Sequence, residues 1–117
     1  MGSESENEKY FFKVNRIQTY VDIDHIMYIE VHNRIITLHT KGSMVEFYST
    51  MREEEKKLAE YCFIRVHHGY LVNMKYIKEI RKTDLVLTND EKIPISRAKR
   101  KNVFIQYLWY KQAVAGR

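Results

Sequence analysis

Short apolar segments rich in β-branched and aromatic residues recur along most of this chain, and they constrain its fold more than any other feature. In the first half they occupy residues 10–14, 18–21, 26–31, 35–39 and 44–48. Segments of this length and composition predict β-strands. The connections His32-Asn33-Arg34 and Lys41-Gly42-Ser43 are short and polar, as antiparallel hairpins require. We therefore expect an antiparallel meander in this half.

The second half adds shorter strands. They are predicted at residues 63–66, 70–73, 77–80, 84–87 and 92–95, and polar connections such as His67-His68-Gly69 separate them. Pro94 lies in the last of these segments and has no amide proton to donate, so we expect that strand at the edge of a sheet. The chain is therefore predicted to be mainly β.

A first helix is predicted after the meander. Thr50 is followed three residues later by Glu53, which is the spacing of a capping box, and a helix over residues 51–60 should follow. The run Glu53-Glu54-Glu55 falls in its first turns, where the helix dipole favours negative charge. We expect this acidic run to form a solvated face and not a metal or acid–base site.

A second helix is predicted over residues 97–112, with Ser96 as its cap. Basic residues fill its first two turns, where the helix dipole disfavours positive charge unless an external anion binds. Apolar residues cover most of its circumference. The face around Trp109 and Tyr110 is therefore either buried in the core or exposed to a partner or to another copy of the chain.

The length of 117 residues predicts one domain. We expect it over residues 10–112, with a flexible polar tail at residues 1–9 and a short tail at residues 113–117. The N-terminus lacks the basic and then apolar stretch of a signal peptide, and the single cysteine, Cys62, cannot form an internal disulfide. No apolar run approaches the roughly 18 residues of a membrane span. These features predict a cytoplasmic protein without a membrane partner.

The charge is unevenly distributed. Residues 1–64 carry 8 basic and 11 acidic side chains, whereas residues 65–112 carry 11 basic and 4 acidic ones, within a net charge of +5. A positive field on one half of a chain favours polyanions, nucleic acid first and anionic membrane second. A solvated, Lys-rich surface would give the same counts.

No set of catalytic or metal-binding residues stands out. Asp22 and Asp24 lie two residues apart, as on one face of a strand, but no arrangement of His or Lys around them in the sequence suggests tuned acid–base roles. The five histidines are scattered without the spacing of metal ligands, and no glycine-rich phosphate loop is present. We therefore predict no enzyme activity, no metal and no cofactor.

Three polar connections bordered by strands favour nucleic-acid binding instead. Asn33 and Arg34 occupy the first, His68 the second, and Arg97 begins the third. Asn and Arg side chains match the hydrogen-bonding edges of adenine and guanine, so these four residues are candidate base contacts. Candidate phosphate contacts, which would fix register without reading sequence, are Lys75, Lys78, Arg81, Lys82, Lys99, Arg100 and Lys101.

Other polar residues in this region favour structural roles. Arg65 and His67 lie in an apolar strand, and we expect them to anchor backbone. Asn73 is expected to satisfy a turn.

Three ordered blocks of sequence resemble a known family. They are FIRVHHGYLVN at residues 63–73, YIKEI at residues 76–80 and IPISR at residues 93–97. Together they resemble the signature of the LytTR family, the output domain of many bacterial two-component response regulators. IMYIE at residues 26–30 is similar to that family's second strand block. The resemblance covers residues 10–110. Three blocks in this order are specific to the family, whereas a single block would be weak evidence for it.

The resemblance implies a fold and a function. The implied fold is elongated and mainly β, with small stacked antiparallel sheets, one or two short helices and a C-terminal helix. The implied function is sequence-specific binding of double-stranded DNA, in which loops enter successive major grooves, and regulation of transcription. The family's reading positions correspond here to Asn33 and Arg34, to His68, and to Arg97 with its neighbours.

Two departures from the family pattern matter. Many members carry a basic, base-contacting residue two positions after Ser96, where this chain has Ala98, so reading there passes to Arg97 or Lys99 or is lost. The family's N-terminal receiver domain has no counterpart before residue 10, which describes either an excised fragment or a stand-alone regulator. The expected partner is duplex DNA with repeated half-sites, on which two copies form a homodimer.

Two functions from other classes stay open. A β-rich module could bind RNA or single strands by stacking bases on some of the nine tyrosines. Alternatively, the C-terminal helix could make the chain a protein-interaction module.

Overall fold

A computed structural model describes residues 8–116, which form ten strands in three antiparallel sheets and two α-helices. The two-stranded sheet pairs β1 (Lys9–Val14) with β2 (Ile17–Asp22). The five-stranded sheet has the order β5-β4-β3-β7-β6, with β3 at Ile26–His32, β4 at Ile35–Thr40, β5 at Ser43–Tyr48, β6 at Phe63–His67 and β7 at Tyr70–Asn73. The three-stranded sheet has the order β10-β9-β8, with β8 at Ile77–Ile80, β9 at Asp84–Leu87 and β10 at Lys92–Pro94. The helices are α1 (Met51–Lys57) and α2 (Arg100–Ala115), and 3-10 turns lie at Ile23–His25, Met74–Tyr76 and Arg97–Lys99.

The five-stranded sheet is the middle layer of the molecule and separates two cores. Tyr28 and Ile29 are neighbours on β3, yet they belong to different buried clusters, and so do Leu71 and Val72 on β7. Successive residues of a strand point to opposite faces, so each of these strands is buried on both sides. One face packs against the β1–β2 hairpin and α1, and the other against the three-stranded sheet and α2. The stack measures 42 × 40 × 25 Å and is therefore extended in two directions and thin in the third.

The mainly β architecture and all ten predicted strands are confirmed, and Pro94 lies in an edge strand as expected. Regular structure extends past both predicted tail boundaries. Lys9 begins β1 and forms an ion pair with Asp22 on β2. At the other end, α2 continues to Ala115. The remainder of the predicted tails, residues 1–7 and 117, lies outside the described residues.

The first helix prediction needs correction at its C-terminal end, and the second at both ends. The first helix ends at Lys57 and not at residue 60, because Leu58 leaves the helical backbone and is fully buried in the core. The second α-helix begins at Arg100, after a 3-10 turn. The Ser96 side chain makes no capping hydrogen bond. Instead, the Ser96 amide donates to the Val66 carbonyl at 2.9 Å, which attaches this segment to β6.

Two hairpins share the same turn chemistry. Asn15-Arg16 joins β1 to β2, and Asn33-Arg34 joins β3 to β4, each as a two-residue connection. All four residues have positive φ, at 51° and 70° in the first turn and 52° and 64° in the second. Positive φ at both central positions is the type I′ turn, whose twist matches that of antiparallel strands. Asn tolerates this conformation well, and Arg adopts it at a modest cost.

The polar interior is small, and Asn73 supplies one part of it. Its side-chain amide donates to the Ile26 carbonyl at 3.0 Å, and its side-chain oxygen accepts from the Lys75 amide at 3.0 Å. The structural role expected for Asn73 is therefore confirmed, and the residue joins the end of β7 to the start of β3.

The start of α1 follows the prediction in one respect and departs from it in another. The Thr50 hydroxyl accepts from the Glu53 amide at 3.2 Å, as the capping spacing predicted. The acidic run, however, is not uniformly solvated, because Glu54 is completely buried. One Glu54 oxygen accepts from the Ser49 hydroxyl at 2.6 Å, and Lys57 Nζ lies 3.9 Å from it. The other oxygen has no hydrogen-bond partner among the described residues, and burial raises the pKa of the carboxyl to about 7.

Replacing Glu54 by Gln should therefore stabilise the protein at alkaline pH. Because the native pKa of Glu54, about 7, lies above its unfolded value of 4.5, the stability that its proton contributes is complete below pH 4.5 and is lost as the pH rises through 7. We expect E54Q to gain about 2 kcal/mol over wild type at pH 8 and little at pH 5. Urea unfolding at both pH values measures this. Glu53→Gln, at the exposed neighbour, is the control, and an equal gain for E54Q at both pH values would contradict the prediction.

Candidate nucleic-acid interface

Two of the three predicted loops lie at the same end of the five-stranded sheet. β3 and β7 are antiparallel neighbours, with Glu30 opposite Tyr70. The Val31 amide donates to the Gly69 carbonyl at 3.0 Å, so the end of β3 lies against the start of β7. The β3–β4 and β6–β7 turns therefore stand side by side. Their centres are two strand spacings apart, which is about 10 Å.

The third loop lies at the same end of the sheet, beyond β6. A bulge at Val66 interrupts the pairing of β6 with β7, between Arg65 and His67. The Val66 carbonyl accepts from the Ser96 amide, which sets the 3-10 turn Arg97–Lys99 against the end of β6. We call the three loops the loop row: Asn33-Arg34, His68-Gly69 and Arg97–Lys99, in this order across the sheet.

The β6–β7 turn is held by its own strand. Arg65 donates to the His68 carbonyl at 2.7 Å and to Glu55 at 3.1 Å. His67 Nδ1 accepts from the Gly69 amide at 3.1 Å, and the His67 and His68 rings lie 4.3 Å apart. Burial, and then the neighbouring His68, lower the pKa of His67, which keeps Nδ1 free to accept. The expectation that Arg65 and His67 anchor backbone is confirmed, and the His68 side chain is left exposed.

A basic recess adjoins the third loop. The Ile95 amide donates to the Thr83 carbonyl at 2.9 Å, which brings the β8–β9 turn next to the start of α2. The recess is lined by Ile80, Arg81, Lys82, Arg97, Arg100, Lys101 and Phe104. Arg81 is bound to Asp84 through two hydrogen bonds, of 2.8 and 3.0 Å. Among the described residues no acidic side chain lines the recess, and Lys82, Arg97, Arg100 and Lys101 form no ion pair there, so the recess concentrates positive charge.

The remaining predicted cations lie elsewhere. Lys99 lines a different recess, together with Glu55 of α1 and Arg65 of β6. Arg97, by contrast, lines the basic recess. Lys75 follows the far end of β7, whose four residues span about 13 Å, and its Nζ lies 3.9 Å from Asp24. Lys78 donates to Asp90 at 2.8 Å in the β9–β10 turn.

The structure therefore brings five of the seven predicted phosphate contacts to the end of the sheet that carries the loop row. It does not bring Lys75 and Lys78 there. The sequence could not reveal this, because the end of the sheet that each loop occupies depends on how the strands are ordered.

The C-terminal helix exposes much of its apolar surface. Val103 is its only buried residue, and Tyr107 is half-buried and donates to the Ile77 carbonyl at 3.2 Å. Trp109 is 65% exposed and Phe104 53%. The sequence left open whether the face around Trp109 and Tyr110 is buried or exposed. Trp109 is exposed, whereas Tyr110 packs partly against the core.

The histidines do not form a metal site within residues 8–116, where no three His, Cys, Asp or Glu side chains converge. The sequence analysis did not predict one pair of side chains, His39 and Glu30. His39 Nε2 lies 2.6 Å from a Glu30 carboxylate oxygen, and the His39 ring stacks on Tyr28 with ring centroids 4.1 Å apart. The pair joins adjacent strands, so only the strand register could have predicted it. None of the helices in this part of the chain is long and apolar enough to cross a lipid bilayer.

Comparison with known proteins gives one family. The model of the LytTr DNA-binding domain matches residues 15–107. The chain is 34% identical over 82 residues to the transcriptional regulatory protein LytR of Staphylococcus aureus strain N315, covering 66% of this chain and 33% of that protein. It is 30% identical over 106 residues to the sensory transduction protein LytT of Bacillus subtilis strain 168, covering 86% and 44%. This chain therefore spans less than half the length of these relatives.

A solved structure agrees with the fold. It is a LytTr DNA-binding domain from Bacillus cereus, 24% identical, with a TM-score of 0.71 over 86% of this chain and 95% of that one.

Proposed function

The chain belongs to the LytTr DNA-binding domain family, and from this premise we propose that it binds double-stranded DNA sequence-specifically and regulates transcription as the output domain of a two-component response regulator. One observation carries the proposal. Three exposed polar loops, on different parts of the chain, gather at one end of the five-stranded sheet beside a basic recess. A common stretch of duplex can contact all three.

Base reading is assigned to Asn33, Arg34, His68 and Arg97. All four side chains are exposed, and none makes a hydrogen bond to another residue within 8–116. The Asn33 amide can donate to and accept from adenine, and the Arg34 guanidinium can donate to both guanine acceptors. The turns are already shaped by folding, so little conformational entropy is lost on binding. With Ala98 unable to contribute a charge, Arg97 is the reading residue of the third loop.

Affinity is assigned to the cations beside the loop row. Lys82, Arg100 and Lys101 are exposed and form no ion pair among the described residues, so they can neutralise phosphates and release counterions. Arg81 and Lys99 lie near enough to add to this field. Lys75 and Lys78 are not part of the proposed surface.

The wider assignments follow from the same proposal. We infer two copies on repeated half-sites near one helical turn apart, about 10.5 base pairs, where they form a homodimer. Relatives named as a transcriptional regulator and a sensory transduction protein are longer than this chain, which supports a receiver domain in the full protein. A bacterial regulator of this kind acts in the cytoplasm and needs no enzymatic activity.

Duplex DNA is favoured over single strands by the placement of the tyrosines. Of the nine, only Tyr20 and Tyr48 are exposed, at 58% and 83%, and they lie on different sheets. Single-strand binders stack successive bases on neighbouring aromatic rings, and these two do not form such a platform.

The proposal is tested by selection from random duplex DNA, followed by fluorescence anisotropy. We expect the selected duplex to bind at least about ten-fold more tightly than either of its strands and than a shuffled duplex, because the loops read paired base edges. Equal affinity for a single strand would contradict duplex reading. Equal affinity for the shuffled duplex would contradict sequence specificity.

Replacing Asn33 or Arg34 by Ala should remove specificity more than affinity. A good contact to a base edge discriminates by about 1–3 kcal/mol, so the selected duplex should lose that much while the shuffled duplex changes little. Asn15→Ala and Arg16→Ala are matched controls, because the same dipeptide forms the same turn on the β1–β2 hairpin. That turn lies away from the loop row, since Asn15 is near Thr40 and Ser43 at the opposite end of the five-stranded sheet. Equal losses on both duplexes, or in the control variants, would defeat the reading role.

Lys101→Ala should weaken binding to all duplexes alike. Loss of one phosphate contact should make the dependence of log affinity on log salt concentration shallower by about 0.9. Lys75→Ala removes the same charge at the far end of the sheet and should leave that slope unchanged. If the two variants behave identically, the effect is one of net charge and not of a contact surface.

A further inference from the structure

One exposed aromatic side chain extends the loop row, and no role has been assigned to it so far. Tyr48 is 83% exposed, more than any other large apolar or aromatic side chain in the described part of the chain. Residues 44, 46 and 48 of β5 are exposed, whereas Phe47 points into the core. Within residues 8–116 no hydrogen bond or ring contact holds the Tyr48 side chain, so packing does not explain its presence.

The position of Tyr48 is fixed relative to the first reading turn. Tyr48 pairs with Ile35, the residue directly after Arg34. The next residue, Ser49, donates its amide to the Arg34 carbonyl at 3.3 Å and its hydroxyl to the buried Glu54 at 2.6 Å. Tyr48 and Arg34 also line one shallow recess with Asn33 and Thr50.

The distance across the sheet decides what Tyr48 can touch. β5 is the edge strand, one and a half strand spacings, or about 7 Å, from the centre of the Asn33-Arg34 turn. Tyr48 is therefore offset to the outer side of this turn, away from the other two loops of the loop row.

We propose that Tyr48 is a further DNA-contacting residue, whose hydroxyl donates a hydrogen bond to a phosphate oxygen beside the groove that Asn33 and Arg34 enter. This inference rests on the proposed function. A phenol suits the position, because it carries a rigid ring and a donor that phosphate oxygens accept. Glu46 lies two residues earlier on the same face and repels phosphate, which confines the contact to the end of β5.

An uncharged donor leaves a particular signature. Tyr48→Phe removes only the hydroxyl and should weaken binding about three-fold, and Tyr48→Ala, which also removes the ring, about ten-fold. The selected and shuffled duplexes should be affected equally, because a phosphate contact reads no sequence. The slope of log affinity against log salt should stay at the wild-type value, in contrast to Lys101→Ala, because a hydroxyl releases no counterion.

Two exposed residues provide controls. Met44→Ala changes the same strand and face at its opposite end, and Tyr20→Ala removes an exposed tyrosine from the β1–β2 hairpin. Both should bind duplex like wild type, and thermal unfolding should show that all variants fold. A scan of duplexes with single neutral methylphosphonate linkages should find one position whose effect disappears in Tyr48→Phe.

The outcomes separate the two proposals. If wild type binds no duplex, the proposed function is wrong. If Arg34→Ala weakens binding and both Tyr48 variants bind like wild type, only the Tyr48 inference is wrong. Loss in Tyr48→Ala with wild-type binding in Tyr48→Phe would also overturn it, because the hydroxyl would then make no contact.

Discussion

The pairing of β3 with β7 is the interaction on which the rest of the structure depends. It joins a hairpin from the first half of the chain to one from the second, and it closes the middle layer between the two cores. Side chains alternate along a strand, so a slip of one residue would exchange the faces of Ile29 and Leu71 with those of Tyr28 and Val72. The same register brings the Gly69 carbonyl to the Val31 amide. Core packing and the meeting of two loops are thus set by one ladder.

The loops are held through their backbone. The carbonyls of Arg34 and His68 accept from Ser49 and Arg65, and the Ser96 amide donates to Val66. Supports of this kind order a loop without occupying its side chains. The exposed side chains of the row therefore stand on an ordered backbone, and those of Asn33, Arg34, His68 and Arg97 make no hydrogen bond within residues 8–116, which suits a binding surface.

Much of the fold could be predicted from local pattern, because alternation, polar turns and the missing amide of Pro94 are properties of neighbouring residues. The meeting of the three loops came from the family resemblance, since strand order is not encoded locally. Glu54 shows the limit most clearly. Its neighbours Glu53 and Glu55 are solvent-accessible, and only the packing of α1 against the sheet decides that the middle carboxyl is buried. The same holds for Lys75 and Lys78, whose positions away from the loop row depend on strand order and not on neighbouring residues.

The left-handed backbone of Arg34, with φ at 64°, limits which side chains this position can carry. Residues branched at Cβ are strongly disfavoured in that conformation, so valine, isoleucine and threonine are closed to the position. Threonine methyl contacts to thymine, a common way of recognising that base, are closed with them. Under the proposed base reading, preference at this position can change only through side chains unbranched at Cβ, and a contact to a thymine methyl would have to come from alanine or phenylalanine.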